Sequence, residues 1–153
     1  MNIVVFGAGG FIGGWICEYL AIDKDVELVA CVRSWASAVR LARRGLKISR
    51  ADIEDESSYS ALIAGADAVI NASVPEPDKE PQAVLHLYKA CAAAGVKKFI
   101  QFSSIAVYGD QTGVIDESQE LQPTNEYGRA KAEAERLLIA SSVANTQIVI
   151  LRP

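Results

Sequence analysis

The sequence is poor in the residues that build metal centres and disulfide frameworks. His86 is the only histidine, and the three cysteines, Cys17, Cys31 and Cys91, are far apart and lie among apolar neighbours. None of these residues has the spacing of a metal-ligand motif. We therefore predict no metal site, and we predict that the cysteines are buried, reduced thiols.

The chain also lacks a basic leader, a long apolar segment and an excess of positive charge. Its first six residues run directly into a glycine-rich stretch, so we expect a cytoplasmic protein without a membrane span. The 15 Lys and Arg residues are outnumbered by 19 Asp and Glu residues, which gives a net charge of -4. This balance argues against a general nucleic-acid-binding function.

The sequence does contain a regular alternation of short apolar runs and helical patterns. The apolar runs predict strands at 2–6, 26–32, 46–48, 67–72, 97–102 and 147–151. The helical patterns predict helices at 12–20, 36–44, 56–64, 82–94 and 124–141. Such alternation is typical of βαβ units, so we predict an α/β fold of the Rossmann type. Its doubly wound parallel sheet would have the strand order 3-2-1-4-5-6 and helices on both faces.

A glycine pattern, G-x-x-G-x-x-G, lies between the first predicted strand and the first predicted helix. In this context the glycines permit a sharp turn, a close approach of phosphate to the backbone, and tight packing of the helix on the strand. The helix N-terminus favours an anion, so we predict that a dinucleotide pyrophosphate binds there. A purely structural turn is the alternative. The predicted contacts are Gly7, Gly10, Phe11, Ile12 and Gly13.

Arg33 lies at the end of the second predicted strand, where NAD-binding chains of this architecture carry an acidic residue. The fork of donors on an arginine can pair with a 2′-phosphate, and Arg40, Arg43 and Arg44 add positive charge nearby. We therefore predict that NADP is preferred over NAD. The alternative is that these arginines belong to a solvated basic helix.

Three further residues form a candidate proton-transfer group. Lys131 follows Tyr127 by four residues on a predicted helix, so the two side chains share one face, and the cation favours the phenolate. Ser104 follows the fifth predicted strand, where it can donate a hydrogen bond to a substrate oxygen. Each residue alone is ambiguous, but together with the glycine loop they predict redox chemistry on a nicotinamide cofactor.

With these motifs the chain resembles the extended short-chain dehydrogenase/reductase family, specifically its NAD(P)-dependent epimerase/dehydratase branch. The resemblance covers the whole chain. The motifs that carry it are Gly7-x-x-Gly10-Phe-Ile-Gly13, Ala51-Asp52-Ile53, Asn71-Ala-Ser73, Ser103-Ser-Ile-Ala-Val-Tyr-Gly109, Tyr127-x-x-x-Lys131 and Leu151-Arg-Pro153.

The resemblance implies roles for individual residues. Tyr127 would be the catalytic acid/base, Lys131 would also hold the nicotinamide ribose, and Ser104 would contact the substrate oxygen. Asp52 and Ile53 would flank the adenine. The residues implied to contact the cofactor beyond the glycine loop and Arg33 are Asp52, Ile53, Ala72, Ser73, Val74, Tyr127, Lys131 and Pro153. Of these, Pro153 would lie beside the nicotinamide.

The resemblance also implies an activity and an organisation. We expect an epimerase/dehydratase-type oxidoreductase acting on a carbinol carbon of a nucleotide sugar, and a homodimer formed through helices 82–94 and 124–141. An NADPH-dependent carbonyl reductase and a non-catalytic NADP-sensing module remain alternatives. Family members continue for roughly another domain's length. We therefore expect residues 1–153 to be the dinucleotide-binding domain, inactive alone, with the C-terminal substrate-binding lobe missing.

Overall fold

A computed structural model describes residues 1–153, and a six-stranded sheet organises them. The strands lie in the order β3-β2-β1-β4-β5-β6, and each is parallel to its neighbours. The predicted doubly wound topology is confirmed. The strands are β1 (Asn2–Phe6), β2 (Glu27–Val32), β3 (Lys47–Arg50), β4 (Ala68–Asn71), β5 (Lys98–Phe102) and β6 (Gln147–Leu151).

Five α-helices and three 3₁₀ helices connect the strands. The α-helices are α1 (Phe11–Leu20), α2 (Val39–Ala42), α3 (Ser60–Ile63), α4 (Glu80–Ala93) and α5 (Glu126–Ala140). The 3₁₀ helices are Trp35–Ala38, Glu56–Ser58 and Ile105–Tyr108. None of the helices has the length and apolar character needed to cross a membrane.

The core lies on both faces of the sheet because successive strand residues face opposite sides. Val4 and Phe6 of β1 belong to a cluster of 18 buried residues that also contains side chains of α3, α4 and α5. Ile3 and Val5 belong to a second cluster of 10 buried residues, which includes side chains of α1 and α2. The three cysteines are buried within these clusters, as predicted, and they are free.

Two predicted helices are shorter in the structure than in the sequence analysis. The stretch 36–44 forms a 3₁₀ turn followed by the four-residue α2, and 56–64 forms a 3₁₀ turn followed by the four-residue α3. In the second stretch, the Ser58 hydroxyl donates to the Asp55 carbonyl and the Ser60 hydroxyl donates to the Glu56 carbonyl. Serine side chains that bond the backbone in this way compete with regular helix formation.

Candidate functional site

Two close backbone approaches define the turn between β1 and α1. Gly7 has a φ of 73°, and a Cβ atom placed on it would overlap the backbone carbonyl of Ala72. A Cβ atom on Gly13 would overlap the carbonyl oxygen of Gly7. The first contact joins the turn to the end of β4, and the second seats α1 against the turn. Any side chain at either position would force these backbones apart.

The first turn of α1 leaves its amide groups unpaired. Gly10 caps the helix without a side-chain hydrogen bond, and the first turn contains no acidic residue. The N–H groups of Phe11, Ile12 and Gly13 donate to no protein acceptor. The amides and the dipole of this ten-residue helix therefore favour an anion at its N-terminus.

A cleft of about 400 Å³ begins at this turn and crosses the carboxyl ends of β1, β2, β3 and β4. Of the predicted cofactor residues, it brings together Gly7, Gly10, Arg33, Asp52, Ile53, Ala72, Ser73 and Val74. Its wall does not include Phe11, Ile12, Gly13, Tyr127, Lys131 or Pro153. The cleft thus contains the residues predicted for the adenine and the 2′ position, together with part of the glycine loop predicted for the phosphates.

Ser37 is a cleft residue that the sequence analysis missed. Its hydroxyl donates to the carbonyl of Ser34 at 2.7 Å, and a Cβ atom on Gly9 would lie 2.6 Å from its side chain. Gly9 therefore lets the segment after β2 approach the glycine turn. No sequence pattern marks this contact, because it depends on how the two loops pack. The other missed cleft residues, neighbours of predicted ones, are Phe6, Gly9, Val32, Ser34, Ala51 and Pro75.

The four arginines predicted near the 2′ position have different partners. Arg40 and Arg44 pair with Glu18 at 2.5 Å and 3.4 Å. Both arginines lower the pKa of the Glu18 carboxyl, and Arg40 has the larger effect. Arg43 lies with Arg40 and Arg44 along a separate depression outside the cleft. Arg33 is exposed in the cleft and forms no ion pair. Of the four arginines, Arg33 is therefore the one that presents a charge to this cleft without a carboxylate partner.

The candidate proton-transfer residues meet at the start of α5. The Asn125 side chain caps this helix by accepting from the Gly128 N–H at 2.7 Å. Lys131 Nζ lies 5.6 Å from the centroid of the Tyr127 ring, as expected for residues four apart on one helix face. Tyr127 is 36% exposed, whereas Lys131 is only 2% exposed. The phenol is thus accessible, and the cation is held behind it.

Ser104 lies in the segment that packs against this start of α5. Its Oγ accepts from the Ala106 N–H at 3.2 Å, which leaves its hydroxyl hydrogen free to be donated. A Cβ atom on Gly128 would lie 2.5 Å from the Ala106 carbonyl oxygen, so α5 and the Ser104 segment touch through backbone. The Ile105 N–H donates to the Pro153 carbonyl at 3.0 Å. Ser104 and Pro153 are therefore close to each other and to the helix that carries Tyr127.

A partly buried ion pair that the sequence analysis missed joins these segments. Arg152 donates to both carboxylate oxygens of Glu135, which is 1% exposed, and also donates to the Tyr108 hydroxyl at 2.5 Å. Glu135 raises the pKa of Arg152 further above its ordinary value. The pair fixes the end of β6 to α5 and to the 3₁₀ helix that follows Ser104.

Lys131 has two buried partners. Its ammonium donates to the Phe102 carbonyl at 3.1 Å, and it lies 2.5 Å from Oε1 of Glu80, the first residue of α4. Glu80 is fully buried. The predicted helix began at residue 82, so the sequence analysis placed Glu80 before it and assigned it no role. Only the fold brings it to Lys131.

The sheet order and the glycine turn define a Rossmann-type α/β architecture, and comparison with known proteins narrows the class. The model of the NAD dependent epimerase/dehydratase family matches residues 3–153. The chain therefore belongs to this family.

Individual relatives are similar over part of their own length. An uncharacterized UDP-glucose epimerase of Bacillus subtilis, YtcB, is 26% identical, with 99% of this chain and 55% of the relative covered. Dihydroflavonol 4-reductase of Hordeum vulgare is 29% identical, with 68% and 34% covered. The structure of UDP-glucose-4-epimerase from Stenotrophomonas maltophila with bound NAD and formylated UDP-arabinopyranose has a TM-score of 0.87. It is 27% identical, with 99% of this chain and 52% of that chain covered, so the chain spans about half the length of such proteins.

Proposed function

We propose that this chain is the dinucleotide-binding part of an NAD(P)-dependent oxidoreductase of the epimerase type. Its substrate would carry a carbinol carbon, and a nucleotide sugar is the class that the epimerase relatives suggest. One observation carries the proposal. The cleft lies at the carboxyl ends of β1 to β4, and Lys131, beside Tyr127, donates to the Phe102 carbonyl at the carboxyl end of β5 in the same parallel sheet. Ligand sites of open α/β sheets occur at that edge.

The residues of the cleft fit a dinucleotide. The unpaired amides of α1 offer donors for a pyrophosphate, and the glycine positions keep side chains out of the turn where phosphates approach. Asp52 and Ile53 line the cleft at the end of β3, where we place the adenine. When bound, the nicotinamide would supply the hydride acceptor and donor. Pro153, next to Ser104, would lie beside it.

The proton chemistry belongs to α5 and the Ser104 segment. Tyr127 would take the proton of the substrate hydroxyl as the carbon is oxidised and would return it on reduction. The Lys131 ammonium, 5.6 Å from the ring, stabilises the phenolate, and its buried position fixes the direction of its field. Ser104 would donate a hydrogen bond to the same substrate oxygen.

We propose that NADP is preferred over NAD, because Arg33 presents an unpaired guanidinium in the cleft. The Stenotrophomonas maltophila structure contains NAD, so this preference would distinguish the chain from that relative. Titration by nicotinamide fluorescence should show tighter binding of NADPH than of NADH. Arg33→Ala should narrow the difference, and Arg43→Ala, an arginine outside the cleft, should leave it unchanged. If NADH binds more tightly than NADPH and Arg33→Ala does not change this difference, the proposal is rejected.

An NADPH-dependent carbonyl reductase is the second candidate, favoured by the similarity to the Hordeum vulgare reductase. An epimerase returns the hydride to the substrate, so its turnover is redox-neutral, whereas a reductase consumes NADPH with each turnover. Absorbance at the reduced nicotinamide band therefore separates the two functions. A non-catalytic NADP-sensing module would do neither, and the retention of both Tyr127 and Lys131 argues against it.

The catalytic assignment is tested with Tyr127→Phe in the whole protein, with its substrate-binding part. We expect kcat to fall by about 10²-fold or more, the usual scale of acid–base catalysis, while cofactor affinity is retained. Tyr19→Phe is the matched control, because Tyr19 is exposed on α1 and lines neither the cleft nor the α5 site. Near-normal turnover by Tyr127→Phe would remove Tyr127 from the mechanism.

A further inference from the structure

The buried environment of Lys131 contains a charge that the proposed mechanism has not used. Glu80 Oε1 lies 2.5 Å from Lys131 Nζ, and both side chains are 2% exposed or less. Apart from this ion pair, neither carboxylate oxygen of Glu80 has a hydrogen-bond partner. Burial raises the pKa of the Glu80 carboxyl, and the neighbouring ammonium opposes that rise. The two charges are therefore close together and shielded from water, and the hydrogen-bonding capacity of the Glu80 carboxylate is not satisfied.

A contribution to folding stability does not by itself explain such a buried ion pair. Two charges taken out of water lose hydration that their mutual attraction only partly returns, and a well-packed apolar pair of similar volume is often as stable or more stable. The position of Glu80 strengthens this point. An acid in the first turn of α4 would normally remain in water near the positive end of the helix dipole. Here the carboxylate is buried against the one lysine that lies beside Tyr127.

The other contact of Lys131 leads toward the cleft. The Phe102 carbonyl accepts from Lys131 and also from the Gln101 side chain at 2.9 Å. Gln101 in turn accepts from Asn71, whose oxygen accepts from the Ser73 hydroxyl at 2.6 Å. Ser73 lines the cleft. The ammonium is thus held between a fixed chain of hydrogen bonds on the cleft side and a single carboxylate on the α4 side.

We propose that Glu80 is a positioning residue for the reaction, which holds the Lys131 ammonium at the Phe102 carbonyl and beside the Tyr127 phenol. Glu80 acts through Lys131 and touches neither substrate nor cofactor. Without the carboxylate, the four-carbon lysine side chain would lose the partner that fixes its end, and its field at the phenol would be less well directed. This inference rests on the proposed function, because it assumes that Lys131 serves Tyr127.

The test uses Glu80→Gln and Glu80→Asp in the whole protein. Glu80→Gln keeps the shape and removes the charge, and we expect kcat to fall at least about 10-fold with little change in the KM of the substrate. Glu80→Asp keeps the charge on a shorter side chain and should recover part of the loss. Glu133→Gln, which breaks an exposed ion pair with Arg136 on α5, is the matched control and should leave kcat unchanged.

A double-mutant cycle separates positioning from structural support. In a Lys131→Met background, Glu80→Gln should cause no further loss of kcat, because its only route of action is already removed. An equal loss in both backgrounds would overturn the inference. So would normal kcat in a folded Glu80→Gln. If urea denaturation shows that Glu80→Gln does not fold, Glu80→Leu combined with Lys131→Met provides an uncharged pair. That double variant should fold and should turn over no faster than Lys131→Met alone, and faster turnover would contradict the role.

The proposed function and this inference fail in different ways. A wild-type protein that neither binds a nicotinamide cofactor nor turns over would reject the proposed function, and the positioning role would fall with it. An active wild-type protein whose Glu80→Gln variant is equally active would reject the positioning role alone.

Discussion

Gly7→Ala should be far more damaging than the same change at another glycine with positive φ. Gly7 and Gly45 have nearly equal φ angles of 73° and 67°, but a Cβ atom would overlap the Ala72 carbonyl at Gly7 and would have nothing within 4 Å at Gly45. The left-handed conformation alone costs an L-residue about 1–2 kcal/mol. The overlap at Gly7 adds the cost of forcing packed backbone apart, about 1–3 kcal/mol. We therefore expect Gly45→Ala to lower the free energy of unfolding by about 1–2 kcal/mol and Gly7→Ala by about 2–5 kcal/mol.

Equilibrium unfolding in urea, followed by tryptophan fluorescence, measures both variants. The comparison cancels the conformational cost that the two glycines share, so the difference between the variants reports the contact between the glycine turn and the end of β4. Equal losses at the two positions would show that the turn can relax away from Ala72. In that case, the tight turn could not be the reason for glycine at position 7.

Further predictions concern stability, thiol reactivity and assembly. Asn125→Ala should cost about 1 kcal/mol through loss of the α5 cap, whereas Thr124→Ala, next to the cap, should cost little in the same urea assay. The backbone N–H of Asn2 and the ammonium of Lys97 lower the pKa of Asp67 below its ordinary 3.8, so this carboxylate stabilises the fold above pH 3.8 and loses that effect as pH falls through its lowered pKa. Asp67→Asn should therefore destabilise the protein at neutral pH and have little effect well below pH 3.8, and an equal effect at both would refute this origin. Burial raises the pKa of each cysteine thiol to about 12, so a thiol reagent should react quickly only after denaturation. The homodimer through α4 and α5 stays a prediction. Sedimentation equilibrium of the whole protein can test it by comparing the wild type with Arg136→Glu, which reverses a charge on α5.

The sequence predicts the sheet well because the strands carry a strong local signal. The bounds of β1 and β6 agree with the predicted 2–6 and 147–151, and the strand order follows from the alternation of strands and helices. The short helices are predicted less well. At 56–64, serine hydroxyls bond to backbone carbonyls and break the helical stretch into two pieces. α4 begins at Glu80, earlier than predicted, because Pro81 is tolerated in a first turn.

The candidate site divides in the same way between local and long-range contacts. The glycine turn and the Tyr127–Lys131 spacing are local, so the sequence indicates them directly. Ser37 and Glu80 reach the site from distant segments. No periodicity or motif distinguishes a glutamate that will be buried against a lysine from one that will remain in water. Long-range burial of charge is therefore the feature that needed the structure.

The central claim is that a nicotinamide dinucleotide binds across the glycine turn, and amide chemical shifts of the ¹⁵N-labelled chain test it most directly. NADPH should shift the amide signals of Phe11, Ile12 and Gly13 in a saturable manner, because these unpaired groups would donate to the pyrophosphate. The signals of Gly45 and Gly95, which lie outside the cleft, should not move. Saturable shifts at the α1 amides would support the account. Their absence at millimolar NADPH and NADH, or shifts confined to other parts of the chain, would contradict it.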